Sequence, residues 1–168
     1  TGFGELIPEA DVIVFDEAHQ IPDIASEYFG DAFSSRQILD LCSDVIQLYH
    51  RHLTDIKQLG LAAEKLQRTT QEFRLLFPQD PERGNWREKI AVGQIEKAYF
   101  QIKTELDFLY QVIKLGVSRN EAIDNCYERA LQLMAKCDMM AEVDLNGISF
   151  WYETTKRHIV LHQTPLSV

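Results

Sequence analysis

One stretch near the start of the chain limits its possible folds more than any other. Four apolar residues, Val12 to Phe15, are followed at once by Asp16 and Glu17. An uninterrupted, mostly β-branched apolar run is typical of a parallel strand that is buried on both faces. Such a strand needs neighbouring strands and covering helices, and nothing else in the chain has the pattern of a strand–helix–strand unit. Because the first residue is also Thr1 and not Met, we expect a piece of a longer polypeptide.

The polar residues that end this strand suit nucleotide hydrolysis. Open α/β sheets bind ligands at the carboxyl edge of their strands. There, Asp16 can hold a Mg²⁺ on the β- and γ-phosphates of ATP, and Glu17 can orient and deprotonate the attacking water. His19 can hydrogen-bond to neighbouring parts of the same site, so that its contacts change with the state of the bound nucleotide. The alternative is that Asp16 and Glu17 simply end the strand, as polar residues often do.

A site for ATP also needs a phosphate-binding loop. The sequence contains no G-x-x-x-x-G-K-[ST] pattern. This chain alone is therefore expected to be inactive as an ATPase.

The middle of the chain has the periodicity of four long amphipathic helices. The first is expected from Ser34, with Gln37 completing a capping box, and the fourth from Ser118, with Glu121 as its capping partner. The second carries an apolar stripe from Leu59 to Phe77, and the third runs roughly over 94–115. Beyond the turn at Asn146-Gly147, two strands are expected at 148–152 and 159–162. The predicted fold class is α+β and predominantly helical.

Residues 78–93 are expected to be the longest irregular stretch. They contain Arg83, Trp86 and Arg87. In an exposed loop, a tryptophan beside two arginines can stack on a base or hold a phosphate, which predicts a DNA contact. The alternative, which we favour, is that Trp86 closes the end of the helical core and the arginines are solvated.

Charge and composition exclude several classes of protein. The net charge of −9 argues against a free-standing nucleic-acid binder, and only residues 51–103, with ten bases and seven acids, are mildly basic. No membrane span or signal peptide is recognisable, so a cytoplasmic protein is expected. The three cysteines, which we expect to be reduced core residues, and the five histidines do not have the spacing of a metal site.

The order of these segments resembles a known family. Asp16-Glu17-Ala18-His19 is similar to the DEAH box of superfamily 2 helicases. The long helical excursion after it resembles the XPD-like, iron–sulfur class, in which a helical arch follows the DEAH box. The motifs that resemble the bacterial YoaA/DinG branch of this class are residues 16–23, Ser34-Ser35-Arg36-Gln37, Arg83-Gly84-Asn85, Trp151-Tyr152-Glu153 and Thr164-Pro165-Leu166-Ser167-Val168.

The resemblance implies an ATP-dependent 5′–3′ DNA helicase of DNA repair. Residues 1–31 would be part of a RecA-like motor domain, 32–145 a four-helix arch that guides single-stranded DNA, and 146–168 a hairpin that returns toward the motor domain. The implied cofactors are ATP, Mg²⁺ and a [4Fe–4S] cluster whose ligands lie outside this chain. The implied partners are single-stranded or forked DNA and a replication or repair protein.

Two other classes of function stay open at this point. The chain can be a helical protein-interaction module without catalysis, in which Glu17 has no role. It can also be a hydrolase with its own acidic site, although no second pair of carboxylates or metal cluster supports that reading.

Overall fold

The computed structural model describes residues 32–166. The strand predicted at 12–15, the helix that follows it, and the site residues Asp16, Glu17 and His19 lie outside this range. The elements in chain order are β1 Phe33–Ser34, α1 Ser35–His52, α2 Lys57–Leu75, β2 Arg83–Asn85, α3 Trp86–Ile90, α4 Gly93–Lys114, α5 Glu121–Ala141, β3 Ile148–Thr154 and β4 Ile159–Pro165.

The predicted fold class is confirmed, because the described residues form four long helices, the short helix α3 and one antiparallel sheet. Within 32–166, no helix is long and apolar enough to span a bilayer. The capping box at the start of α1 is also present. The Gln37 N–H donates to the Ser34 hydroxyl at 3.2 Å, and the Ser34 N–H donates to the Gln37 side chain at 3.2 Å.

The start of α5 differs from the prediction, which placed its capping box at Ser118 and Glu121. Asn120 is the N-cap, and its side chain accepts a hydrogen bond from the Ala122 N–H at 2.6 Å. Ser118 has a φ of 77°. An N-cap needs extended backbone, so a residue in the left-handed region cannot take that position.

The predicted hairpin is present, and it is the centre of a larger sheet. The strand order is β1-β4-β3-β2, and every neighbouring pair is antiparallel. The two edge strands are short, and neither of them was predicted from the sequence. Residues 78–93 are therefore less irregular than expected, because they contain both β2 and α3.

The sheet and the helices share one hydrophobic core. Tyr99 of α4 is at its centre, fully buried, with Phe33, Phe73 and Trp86 around it at ring-centroid distances of 6.3, 6.1 and 5.3 Å. Its hydroxyl donates to the Cys137 carbonyl at 2.7 Å. Because three of these rings come from β1, α2 and α3, the sheet is held against the helices by aromatic packing. The division at 145/146 stays a prediction.

Candidate nucleic-acid interface

The face of the sheet away from the core carries an aromatic and charged cluster. Trp151 of β3 is directly opposite His162 of β4 in the strand register. The two rings are stacked, with centroids 3.9 Å apart and an interplanar angle of 15°. The Trp151 indole N–H also donates to the Thr164 hydroxyl at 3.0 Å. These contacts fix the orientation of the indole on the sheet.

Arg83 reaches the same indole from the other neighbouring strand. Its guanidinium carbon is 5.4 Å from the centre of the Trp151 ring, within the range of a cation–π contact. The Arg83 side chain is 65% exposed. Trp151 is therefore flanked by His162 from β4 and by a largely solvent-exposed cation from β2.

Glu153 holds the two neighbours of Trp151 in place. One carboxylate oxygen accepts from Arg83 at 3.3 Å, and the other is 2.6 Å from His162 Nε2. His162 is 5% exposed and Glu153 is 16% exposed, whereas Arg83 remains in solvent. The Arg83–Glu153 ion pair is thus a surface pair of small net stability, and Arg83 can exchange it for another anion.

A close backbone approach brings β2 to this position. Gly84 lies opposite Tyr152, and a Cβ at Gly84 would lie 2.7 Å from both the Tyr152 ring and its hydroxyl oxygen. The Tyr152 hydroxyl donates to Glu82 at 2.6 Å. Burial, followed by this hydrogen bond, raises the pKa of Tyr152. Glycine at position 84 therefore allows the strand pairing that places Arg83 beside Trp151.

Trp86 has no part in this face, in agreement with the favoured of its two predicted interpretations. Trp86 is fully buried, and its indole N–H donates to the Met140 carbonyl at 2.8 Å. Asn85 caps α3 by accepting from the Glu88 N–H at 3.3 Å, which turns the next side chain into the core. In this conformation Trp86 closes the end of the helical core, as the favoured interpretation predicted. Its buried ring is not available to stack on a base.

Arg87 also has a structural role, because its side chain contacts other parts of the fold. Its guanidinium donates to the carbonyls of Val143 and Leu145, and its central carbon lies 4.9 Å from the centre of the Phe150 ring. These contacts tie α3 to the segment between α5 and β3. Of the three residues predicted to contact DNA, Arg83 alone lies on the open sheet face, and its contact with DNA stays a prediction.

Trp151, Glu153 and His162 were not among the site residues predicted from the sequence. Trp151 and His162 fall in the two predicted strands, but their pairing depends on the hairpin register. A four-residue loop, 155–158, sets that register by joining Thr154 to its partner Ile159. A loop length read correctly from the sequence would have placed the two rings opposite each other.

The hairpin loop adds positive charge at one end of this face. Lys156 and Arg157 are exposed there. They follow the end of β3 at Thr154, which lies about 10 Å along the strand from Trp151 at a rise of about 3.3 Å per residue. A stacking ring with cations beside it and further along the strand is the arrangement that proteins use for unpaired nucleotides.

The three cysteines lie in the core and do not come together as the thiolate ligands of an iron–sulfur cluster do. Burial raises the pKa of Cys42 to about 12 and that of Cys137 to about 11, and it also raises the pKa of Cys126. All three side chains are buried and unpaired, as predicted for core residues. Within the described part of the chain, no group of three His, Cys, Asp or Glu residues could hold a metal ion.

Two curated proteins are similar to this chain from end to end. The ATP-dependent DNA helicase YoaA of Escherichia coli is 46% identical over 168 residues, and the ATP-dependent DNA helicase YoaA of Haemophilus influenzae is 44% identical over 169 aligned positions. Each alignment covers 100% of this chain and 26% of the helicase, so the chain spans about a quarter of the length of these relatives. The predicted resemblance to the YoaA branch is confirmed. No family model and no solved structure matches the chain.

Proposed function

We propose that this chain is a segment of an ATP-dependent DNA helicase and that its open sheet face contacts single-stranded DNA. The identity of 46% along the whole chain to a protein named for that activity is the observation that carries the proposal. In the full-length protein, this segment would carry part of the ATP site and the helical arch. Single-stranded or forked DNA would be the substrate, a replication or repair protein a possible partner, and the cytoplasm the location.

The roles at the ATP site rest on the sequence. Asp16 would hold the Mg²⁺ that bridges the β- and γ-phosphates, and Glu17 would deprotonate the attacking water. His19 would couple the nucleotide state to DNA. A [4Fe–4S] cluster, if the full-length protein has one, would take its ligands from outside this chain, because the three cysteines here are buried in the core and do not form a group of metal ligands.

The role of the sheet face rests on its geometry. Trp151 offers a ring held in a fixed orientation, with His162 stacked on it and the Arg83 guanidinium over it. A base would stack in the place of the guanidinium, and stacking on such a ring contributes about 1–3 kcal/mol per base. Arg83 offers an exposed cation that can leave Glu153 for a phosphate, or lie flat on a base. Neither contact depends on base identity, so binding without sequence preference is expected.

The first experiment measures DNA-stimulated ATP hydrolysis by the full-length protein. Glu17→Gln should reduce turnover by at least about a hundredfold, since the water loses its base. Glu27→Gln, the same change ten positions further on, is the control and should leave turnover unchanged. Normal turnover in Glu17→Gln would contradict the assignment of the ATP site and favour the non-catalytic interaction module.

The second experiment uses fluorescence anisotropy to measure the affinity of the full-length protein for a fluorescently labelled DNA single strand of arbitrary sequence. Trp151→Ala should weaken binding about 5- to 150-fold, which corresponds to the loss of one stacked base at about 1–3 kcal/mol. Arg83→Ala should weaken it and reduce the salt dependence by about one phosphate contact. Arg68→Ala removes an exposed arginine of α2 and is the control. Unchanged affinity in both Trp151→Ala and Arg83→Ala would exclude the sheet face as a DNA contact.

A further inference from the structure

The Arg83 guanidinium covers the part of Trp151 that a base would use. His162 occupies one face of the indole, with the two ring centroids 3.9 Å apart. The central carbon of the Arg83 guanidinium is 5.4 Å from the centre of the same indole. The face that His162 leaves free is therefore occupied by a cation of the chain itself, and a stacking base has to displace it.

Glu153 holds this cation in place. Its Oε1 accepts a hydrogen bond from Arg83 Nη2 at 3.3 Å, and its Oε2 lies 2.6 Å from His162 Nε2. Glu153 and His162 are on the two central strands and are mostly buried, whereas the Arg83 side chain is largely exposed on an edge strand. Because the carboxylate is anchored to a buried ring, Arg83 is the partner that moves when the ion pair breaks.

The same ion pair opposes a phosphate contact. A DNA phosphate that pairs with Arg83 has to replace the Glu153 carboxylate, and the carboxylate then stays behind without this cation. Carboxylate and phosphate are both anions that match the planar fork of a guanidinium, so they compete for one group. An exposed ion pair has a small net stability, so the competitor is expected to weaken DNA binding by a modest factor and not to abolish it.

We propose that Glu153 limits the affinity of the sheet face for single-stranded DNA by competing with phosphate for Arg83. The proposal rests on the DNA contact proposed above and adds the regulation of that contact. Glu153 keeps Arg83 over Trp151 while the face is empty, and it takes Arg83 back when the strand leaves. An internal competitor of this kind favours rapid release, which suits a protein that moves along a strand. Removal of the Glu153 charge is therefore expected to strengthen DNA binding.

The test measures the affinity of the full-length protein for a fluorescently labelled DNA single strand by anisotropy. A salt concentration of about 50 mM is used, because surface electrostatics are then weakly screened. Glu153→Gln should strengthen binding about two- to fivefold, the factor expected for one surface ion pair. Glutamine keeps the shape of the side chain and can still hydrogen-bond to His162. Glu64→Gln, which removes a negative charge from the exposed side of α2, is the control and should change affinity less than about 1.5-fold.

The Arg83→Ala background separates competition for Arg83 from simple repulsion of DNA. In this background Glu153→Gln should have no larger effect than Glu64→Gln, because no cation is left to be released. An equal gain in affinity with and without Arg83 would mean that Glu153 only repels phosphates, and would overturn the proposal.

Two further outcomes distinguish this proposal from the DNA contact on which it rests. If Arg83→Ala and Trp151→Ala weaken binding but Glu153→Gln does not strengthen it, the competition is refuted and the DNA contact stands. If neither Arg83→Ala nor Trp151→Ala weakens binding, both proposals fail.

Urea unfolding of the same samples shows whether Glu153 serves the fold instead. The midpoint of Glu153→Gln should stay close to that of the wild type, since the side chain is on the outer face of the sheet and the lost ion pair contributes little. A clearly lower midpoint together with weaker DNA binding would mean that Glu153 stabilises the sheet, and would overturn its role as a competitor.

Discussion

The guanidinium of Arg74 donates two hydrogen bonds to the carbonyl oxygen of Thr155, which is 81 positions further along the chain. The N–O distances are 2.9 and 2.5 Å. The same group also donates to the carbonyls of Phe77, Pro78 and Gln79, and Arg74 is 4% exposed. One buried cation therefore joins the C-terminal end of α2 to the loop of the hairpin.

Arg74→Lys should lower the free energy of unfolding by about 2–4 kcal/mol. An ammonium group cannot reach carbonyls on both segments with the planar fork of a guanidinium, so buried acceptors lose their donors. Urea unfolding followed by far-UV circular dichroism measures the change. Arg68→Lys, an exposed arginine on the same helix, should change stability by less than about 0.5 kcal/mol. Equal effects of the two substitutions would mean that the carbonyl contacts of Arg74 contribute nothing specific.

The two tryptophans offer a matched comparison. Trp86→Phe should lower stability by about 1–3 kcal/mol, because the Met140 carbonyl loses its donor and the smaller ring leaves a gap. Trp151→Phe keeps a smaller ring beside His162 and Arg83, loses the bond to the exposed Thr164 hydroxyl, and should cost less than about 1 kcal/mol. Chemical unfolding of both variants tests the order. A larger loss for Trp151→Phe would contradict the assignment of Trp86 to the core.

Gly84→Ala should lower stability by about 1–3 kcal/mol, since the added methyl group meets the Tyr152 ring at 2.7 Å and part of the β2–β3 pairing must shift. Gly93→Ala is the control. Nothing lies within 4 Å of a Cβ there, and alanine favours the start of α4, so that variant should be neutral or more stable by up to about 1 kcal/mol. Thermal unfolding of the two variants distinguishes them. If Gly84→Ala leaves the stability unchanged, β2 does not pack closely against Tyr152.

His158 joins the hairpin loop to the start of α1. The Ser35 hydroxyl oxygen accepts from the Ile159 N–H at 3.0 Å and lies 3.1 Å from His158 Nδ1. Because this hydroxyl accepts from one neighbour, its own hydrogen is available to donate to Nδ1. The neutral imidazole, with Nδ1 unprotonated, fits this arrangement.

Stability should fall as the pH drops below about 6.5. Burial, and next the Arg36 guanidinium, lower the pKa of His158, with smaller effects of Arg157 and Arg74 in the same direction and of Asp40 in the opposite one. Between the ordinary value of about 6.5 and the lowered folded value, the unfolded chain binds a proton that the folded chain does not. The contribution of His158 to stability is therefore complete above about pH 6.5. It is lost as the pH falls from there through the lowered pKa of the folded state.

The variant His158→Asn tests this dependence, because its amide oxygen can accept from the Ser35 hydroxyl but does not titrate. Urea midpoints measured from pH 7.5 to pH 5 should fall less steeply for the variant than for the wild type. The other histidines are present in both chains and cancel in the difference. Parallel curves would exclude His158 as the titrating group.

The helical part of the fold was predictable because its signals are local. The capping box at Ser34 and the apolar stripes depend on residues three or four positions apart, and the buried faces of the four long helices follow those stripes. The hairpin was predictable for the same reason. The start of α5 was not, because Ser118 and Asn120 are both good caps by residue type, and the backbone conformation at Ser118 decides between them.

The sheet face was not predictable, because its pairings are distant in sequence. Arg83-Gly84-Asn85 has no alternation of apolar and polar residues, and becomes a strand only where Tyr152 lies under Gly84. The same limit explains why the sequence left two interpretations of Trp86. Its neighbours Arg83 and Arg87 suggested an exposed loop, whereas the partner that buries it, Met140, is 54 positions away.

The pairing of Phe33 with Leu161 has a consequence for how such a domain can be gained or moved. The strands before and after the helices are antiparallel neighbours, so the chain enters and leaves the helical region about 5 Å apart. A region with adjacent ends can be inserted into, or removed from, a surface loop of another protein without stretching the host. Residues 33–161 therefore have the geometry of a transplantable unit, which a short linker could replace in its host.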